Sequence, residues 1–361
     1  MTDTTSRMHG TRRARLLATA LATLALPFAG PAVAQNRTTE AQPAEVSVRA
    51  FGDLGLVRTS GEGASFALGQ LDAFVTASLS DRFSVLIETV AEANDANEVS
   101  TDVERAIVRY AFSDKFRVGA GRFHTTIGFY NTAYHHGAWF QTAASRPTLF
   151  AFEDDHGILP IHQVGLMLDG RIPSRGLGLR WFAEVGNGRP PAGGGEIQNM
   201  HDADARKSVV LAISSQPDRV QGLTVGASFY HDRSQHTPAT TVDENIVTAH
   251  AVVLRQDFEW LTEVARIAHG VTGGGTTAVT YGGYTQLARR VGPVKPYLRI
   301  EGFNAGTGDP LFDTLPDGRT FLVGVRRELA PAASVKFEVT SHREGAGPWT
   351  PGAKAQVAFA F

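Results

Sequence analysis

The sequence predicts an all-β fold: a transmembrane antiparallel β-barrel of about 16 strands, with short periplasmic turns and long extracellular loops. Three observations predict it. Segments alternating apolar and polar side chains recur about every twenty residues from Val46 to Phe361, the period of a half-buried strand. The connections between them are short and long by turns. Past the N-terminal segment no apolar run reaches the roughly 18 residues a spanning helix needs, so a closed barrel is the remaining way to satisfy backbone N–H groups in lipid.

In chain order, Arg7, Arg12, Arg13 and Arg15 precede the apolar run Leu16 to Ala29, and Pro31-Ala32-Val33-Ala34 has the small-residue form of a cleavage site. Residues 1–34 therefore read as a secretory signal peptide of a diderm bacterium, with basic residues serving as an ordinary n-region. A polar lead-in covers 35–45 and the barrel 46–361. The formal net charge of −2 gives no cause to expect a nucleic-acid partner. Zero cysteines exclude a disulfide scaffold and thiol chemistry.

The first segment places Val46, Val48, Ala50, Leu54 and Leu56 on one face and Arg49 and Asp53 on the other. Further segments begin near residues 65, 82, 103, 116, 161, 177, 207, 223, 243, 258, 276, 294, 319, 333 and 351. Short turns are expected at Ser80–Arg82, Ser113–Lys115, Gln216–Asp218, Gln256–Asp257, Val291–Pro293 and Ala330–Ala332. Long connections are expected at Glu92–Asp102, Asn131–Pro160, Asn187–Arg206, His231–Asn245, Gly302–Arg319 and Ser341–Thr350. Phe83, Phe116, Trp181, Phe229, Trp260 and Phe321 stand where strands meet connections, as interfacial girdles do. The last segment puts Ala353, Ala355, Val357, Phe359 and Phe361 on one face, and its terminal Phe361 resembles the signal read by barrel-assembly machinery.

If the apolar faces meet lipid, the charged faces meet water. Arg105 and Arg109 then point inward, as do Lys295, Arg299, Glu301, Arg326, Lys336 and Glu338, because a cation at the bilayer midplane costs about 2–4 kcal/mol. Inward Arg and Lys modestly outnumber Asp and Glu, which leaves two readings open: weak anion preference, or salt pairing between neighbouring strands. Two strands resist assignment. Arg122 and His124 share parity with Phe116 and Val118, and Glu263 and Arg266 fall on opposite faces.

Asn131–Pro160 is an unusually long irregular connection, rich in aromatics, histidines and small residues, and such loops in compact domains are functional. It is expected to fold into the barrel and narrow its bore. Pore-lining candidates are Arg105, Arg109, Arg122, His124, Tyr134, His135, His136, Arg146, Glu153, Asp154, Asp155, Arg299 and Arg326. With His156 and His162 the loop histidines could form a transition-metal site, but the expectation is hydrogen bonding of loop to wall, with no metal and no cofactor.

The stretch Gly121-Arg-Phe-His-Thr-Thr-Ile-Gly-Phe-Tyr-Asn-Thr-Ala-Tyr-His-His-Gly-Ala-Trp-Phe-Gln-Thr142, with Ser145-Arg146-Pro147 and Val185-Gly-Asn-Gly-Arg189, resembles outer-membrane porins related to the phosphate-selective group. The resemblance covers roughly Gly119 to Arg189. It implies a sixteen-stranded, often trimeric diffusion channel for small polar or anionic solutes, in an outer membrane of phospholipid and lipopolysaccharide. Phosphate selectivity does not carry over. It requires a dense Arg and Lys ladder, and Arg146 is the loop's only Lys or Arg.

An enzyme is not expected: there is no P-loop, His-Glu-x-x-His or nucleophile elbow. The alternatives are a surface-exposed barrel hydrolase, using His231 with Ser228 or His342 with Ser341, and a non-conducting structural barrel.

Overall fold

The computed structural model describes residues 44–361 except 60, 62, 94–97, 136, 154–156, 190–199, 202–205, 238–239 and 313–314. The expected signal peptide and nearly all of the lead-in lie outside the described residues. Sixteen strands form one closed antiparallel barrel in which each pairs with its sequence neighbours. They are β1 (Glu45–Thr59), β2 (Ala64–Ser78), β3 (Phe83–Ala93), β4 (Val99–Ser113), β5 (Phe116–His124), β6 (His162–Arg171), β7 (Arg180–Gly186) and β8 (Ser208–Ser215). The circuit continues with β9 (Leu223–Thr237), β10 (Thr240–Leu254), β11 (Phe258–Val271), β12 (Ala278–Arg289), β13 (Val294–Asn304), β14 (Gly318–Ala330), β15 (Ala333–Glu344) and β16 (Thr350–Ala360). A short helix, α1 (Phe129–Tyr134), lies in the long β5–β6 connection, hereafter the inward loop.

Closure is direct. The Ala50 N–H donates to the Phe361 carbonyl at 2.8 Å and the Phe361 N–H donates back to Ala50 at 2.8 Å, so β1 and β16 leave no open sheet edge. The side-chain pattern is inverted relative to a water-soluble sheet. Val46, Val48, Phe66, Leu68, Val323 and Phe337 stand exposed on the outside, while Asp72, Glu88, Glu184, Glu244, Arg299 and Lys336 are buried. Only a surround of hydrocarbon rewards that arrangement, since each charge turned outward at the midplane would cost about 2–4 kcal/mol. Phe116 stacks on Trp181, and Phe321 packs beside Trp349, on the outer surface near strand ends.

The connections correct the expected wiring in three places. His231–Asn245 is mostly strand, because β9 runs to Thr237 and β10 starts at Thr240. Strand also consumes parts of Glu92–Asp102 and Ser341–Thr350. Alternation there continues past the residues a bilayer requires, and polar side chains at the strand ends mask it in the sequence. On the rim of short turns, the β6–β7 connection spans eight residues, 172–179, whereas β1 and β2 join through only four, 60–63, on the opposite rim.

Two irregularities shape the wall beside the inward loop. The β3–β4 ladder steps from Glu88↔Arg105 to Thr89↔Val103, leaving Glu104 as the extra residue of a bulge. Glu104 and Arg105 therefore both face inward despite being adjacent. In β5, Gly121 has φ of 134°, and a Cβ there would meet the Ala106 carbonyl oxygen at 1.8 Å, so only glycine fits. Gly121 lies between the outward Phe116 and the buried Arg122 and His124, the parity conflict that strict alternation could not resolve.

Candidate functional site: the inward loop and the bore beside it

The inward loop leaves the wall at Thr125, whose hydroxyl donates to the Pro160 carbonyl at 2.7 Å, and crosses to the far side of the barrel. There α1 begins against Glu263 of β11. The Phe129 and Tyr130 N–H groups donate to its two carboxylate oxygens at 2.6 and 2.9 Å, and the Tyr284 hydroxyl adds a third donor at 2.7 Å. Those N–H groups have no partner inside the helix, so a wall carboxylate supplies what a capping side chain otherwise would. Ile127, Tyr130, Leu149, Phe150, Ile158 and Leu159 of the loop bury themselves against Tyr230, Ile246, Leu261, Ile267, Tyr284 and Phe303 of the wall. A hydrophobic core thus forms within the barrel, on the β8–β13 side. Burial pushes the Tyr130 phenol up to about 12, so its hydroxyl remains a donor, to Gln141.

Basic residues of β13–β15 hold the outer arc of the loop by its backbone carbonyls. Arg299 donates to Ser145 at 2.9 Å, to Arg146 at 2.8 Å and to Glu301 at 2.7 Å. Arg326 donates to the Trp139 and Gln141 carbonyls, both at 2.6 Å, and Lys336 donates to Ala138 and, at 3.1 Å, Ala143. Lys295 bridges Glu259 at 2.8 Å and Thr142 at 2.9 Å. Wall acids receive the complementary donors: the Ala144 N–H donates to Glu338 at 3.1 Å and the Thr148 N–H to Glu301 at 2.6 Å.

The sequence-derived candidates therefore divide. Arg299 and Arg326 are committed to loop carbonyls, a use that alternation alone could not distinguish from lining an open bore. Arg146 turns back into its own loop, donating to Phe150 at 2.9 Å and to His135, with its guanidinium 3.7 Å from the Phe152 ring centre. Arg105 pairs with Glu88 across the β3–β4 ladder. Arg109 reaches the Met167 sulfur at 3.5 Å, and Arg122 is buried in β5. His124, His135 and His162 gather with Glu104, and Glu153 reaches His162 at 3.2 Å. His136, Asp154 and Asp155 lie outside the described residues, as does His156.

Between the loop and β1–β4 a cavity of about 660 Å³ remains, lined by Arg49, Phe74, Glu88 and Arg105 from the wall and by Tyr134, His135 and Phe140 from the loop. The loop thus fills one side of the barrel and leaves this cavity beside the other. Glu104, Glu259 and Asn131 went unnoticed in the sequence. Only the adjacent opposite charges of Glu104-Arg105 within a strand hinted at the bulge. Glu263, unassigned by parity, is buried inside, whereas Arg266 is exposed outside beside Tyr281.

At the outer end, Glu244 accepts from Arg189 at 3.1 Å and lies 3.0 Å from His269, whose other ring nitrogen lies 2.8 Å from Asp309 of the β13–β14 loop. Burial pushes the Asp309 carboxyl upward, but the His269 hydrogen bond and charge, with the Leu311 and Phe312 N–H donors, hold it below its ordinary value. A lowered carboxyl contributes stability that is complete above its unfolded value and is lost as pH falls through the folded one. Hydrogen exchange should show the Leu311 and Phe312 amides protected at neutral pH and released only as pH falls below the ordinary carboxylate range. Protection unchanged at the acid end would show that Asp309 does not anchor this loop.

The histidines named for a hydrolase meet other side chains. Ser228 is buried and shares a hydrogen bond with Thr248 at 2.6 Å, while His231, of opposite parity, meets Asn245 at 3.0 Å. His342 meets Thr320 at 2.9 Å.

No protein-family model and no curated protein matches this sequence. Solved structures do match its fold. A loop L8 deletion mutant of OmpT, an outer membrane protein of Vibrio cholerae, superposes with a TM-score of 0.62 at 12% identity, over 89% of this chain and 100% of that one. OmpF of Salmonella typhi, in complex with daunomycin, gives 0.61 at 12% identity over 88% and 97%. The outer membrane channel DcaP of Acinetobacter baumannii gives 0.59 at 8% identity over 88% and 97%. The fold is porin-like. With its apolar exterior and closed circuit of sixteen strands, the chain shares the barrel fold of these outer-membrane proteins.

Proposed function

We propose that this protein is a passive diffusion channel for small polar solutes, constricted by the inward loop and conducting along the β1–β4 side. The cavity between loop and wall carries this reading. Arg49, Glu88, Arg105, His124 and His135 reach it among apolar side chains, whereas the opposite side is filled by a hydrophobic core. Arg49 and Arg105 face Glu88 there, and the cations of β13–β15 are spent on the loop, so anion preference is slight. The motif from Gly121 to Arg189 supports kinship with the phosphate-selective group, but among the described residues no dense cation ladder faces the cavity, and phosphate is not the proposed solute.

Catalysis has no part in this reading. The trimer form of Vibrio cholerae OmpT supports a homotrimer. The exposed Phe361 is the residue offered to barrel-assembly machinery, and the outer face is offered to phospholipid and lipopolysaccharide. Planar bilayers test the proposal: purified protein should give stepwise current, with a small reversal potential of anionic sign across a salt gradient. Full-length, folded protein that yields no current would leave the non-conducting barrel as the better description.

A further inference from the structure

We propose that Glu104, His124, His135 and His162 form a binding site for a divalent transition-metal ion of the zinc class, which pins the inward loop to the barrel wall. Each residue offers one ligand atom, and the four atoms lie within 4.8 Å of one another. From the Glu104 carboxylate, the Nε2 atoms of His162, His135 and His124 stand at 2.7, 3.8 and 4.0 Å. A tetrahedral ion with bonds of about 2.0–2.1 Å needs its ligand atoms about 3.3 Å apart, a spacing these positions bracket. All four residues are buried.

The orientation of the rings is set from behind. His135 Nδ1 lies 2.7 Å from the Asn131 side-chain oxygen, and His162 Nδ1 lies 3.2 Å from Glu153. An imidazole that donates from Nδ1 to an oxygen presents the Nε2 lone pair on its other side, and here both Nε2 atoms face the cluster centre. Histidine ligands of metals are oriented by this kind of outer partner. Three imidazoles and one carboxylate form a donor set for zinc-class ions rather than for calcium or magnesium.

The topology gives the ion a task. Glu104 is the bulged residue of β4, and His124 and His162 are cross-strand partners at the ends of β5 and β6. His135 belongs to the loop itself, immediately after α1. Three ligands thus come from the wall and one from the constriction, at the edge of the cavity that His124 and His135 also line. Occupancy would fasten the loop on the side where the carbonyl contacts of β13–β15 do not reach.

The test uses the full-length protein in detergent, stripped with a chelator and titrated with Zn²⁺ and, separately, Co²⁺. Expected are one tightly held ion per chain and the intense visible absorption of four-coordinate Co²⁺. His135→Ala should abolish both, whereas His342→Ala, a histidine outside the cluster, should change neither. If His135→Ala fails to insert, Glu153→Gln carries the test with about 10–100-fold weaker binding, the loss that follows removal of an outer partner. Failure of the wild-type protein to retain an ion would overturn the proposal. So would equal retention by wild type and either cluster variant. Neither result depends on whether the barrel conducts.

Discussion

Replacing Arg299 with alanine is expected to release the outer arc of the inward loop and raise single-channel conductance. The guanidinium is only 1% exposed and ties the Ser145 and Arg146 carbonyls to Glu301 and Gln286 in one network. Removing one partner of a buried charge network costs about 3–5 kcal/mol, because the remaining carboxylate is left uncompensated. Hydrophobic contacts on the β8–β13 side still hold α1, so the barrel should form and the arc from Trp139 to Thr148 should loosen. Trp139 provides a second readout, since its ring lies under the Arg326 guanidinium, 4.8 Å away, and its emission should shift as water reaches it. Arg299→Lys should recover only part of the effect, because an ammonium cannot span two carbonyls and a carboxylate with a planar fork. Wild-type conductance and emission in Arg299→Ala would show that the latch does not hold the constriction.

Glu263→Ala should act at the other end of the loop. Three donors converge on this buried carboxylate: the Phe129 and Tyr130 N–H groups and the Tyr284 hydroxyl. Each buried donor left without an acceptor costs about 1–3 kcal/mol, so loss of this carboxylate weakens the hold on α1. Limited proteolysis should cut the variant within residues 129–134 while the strands stay resistant. Glu263→Gln retains one acceptor oxygen and should fall between the two. Equal resistance of alanine variant and wild type would mean that the hydrophobic core alone secures α1.

These two residues also mark how far the sequence could be read. Strand positions were legible because membrane strands keep a strict period of two: β5, β9, β11, β13 and β15 begin at the residues alternation selects. His231–Asn245 misled because its strand ends are polar on both faces. Arg299 could be placed inside by alternation, yet its partners are backbone carbonyls 153 and 154 positions away, and no pattern in a sequence encodes them. Glu263 was ambiguous for a related reason. Arg266, three residues on, is exposed at the outer surface beside Tyr281, so charge appears on both faces of β11. The histidine cluster needed two departures from regular strand, the Glu104 bulge and the backbone turn at Gly121. Each breaks the very alternation from which the wall was read.

The hydrogen bonds between Ala50 and Phe361 carry a consequence for biogenesis. Strands that pair with chain neighbours can zip up locally, but the seam between first and last joins positions roughly three hundred residues apart. Contacts of such separation form late, after the entropy of closing the longest loop in the molecule has been overcome. Until then two raw strand margins face whatever surrounds them, so a nascent cylinder must be chaperoned as an open ribbon until the seam closes.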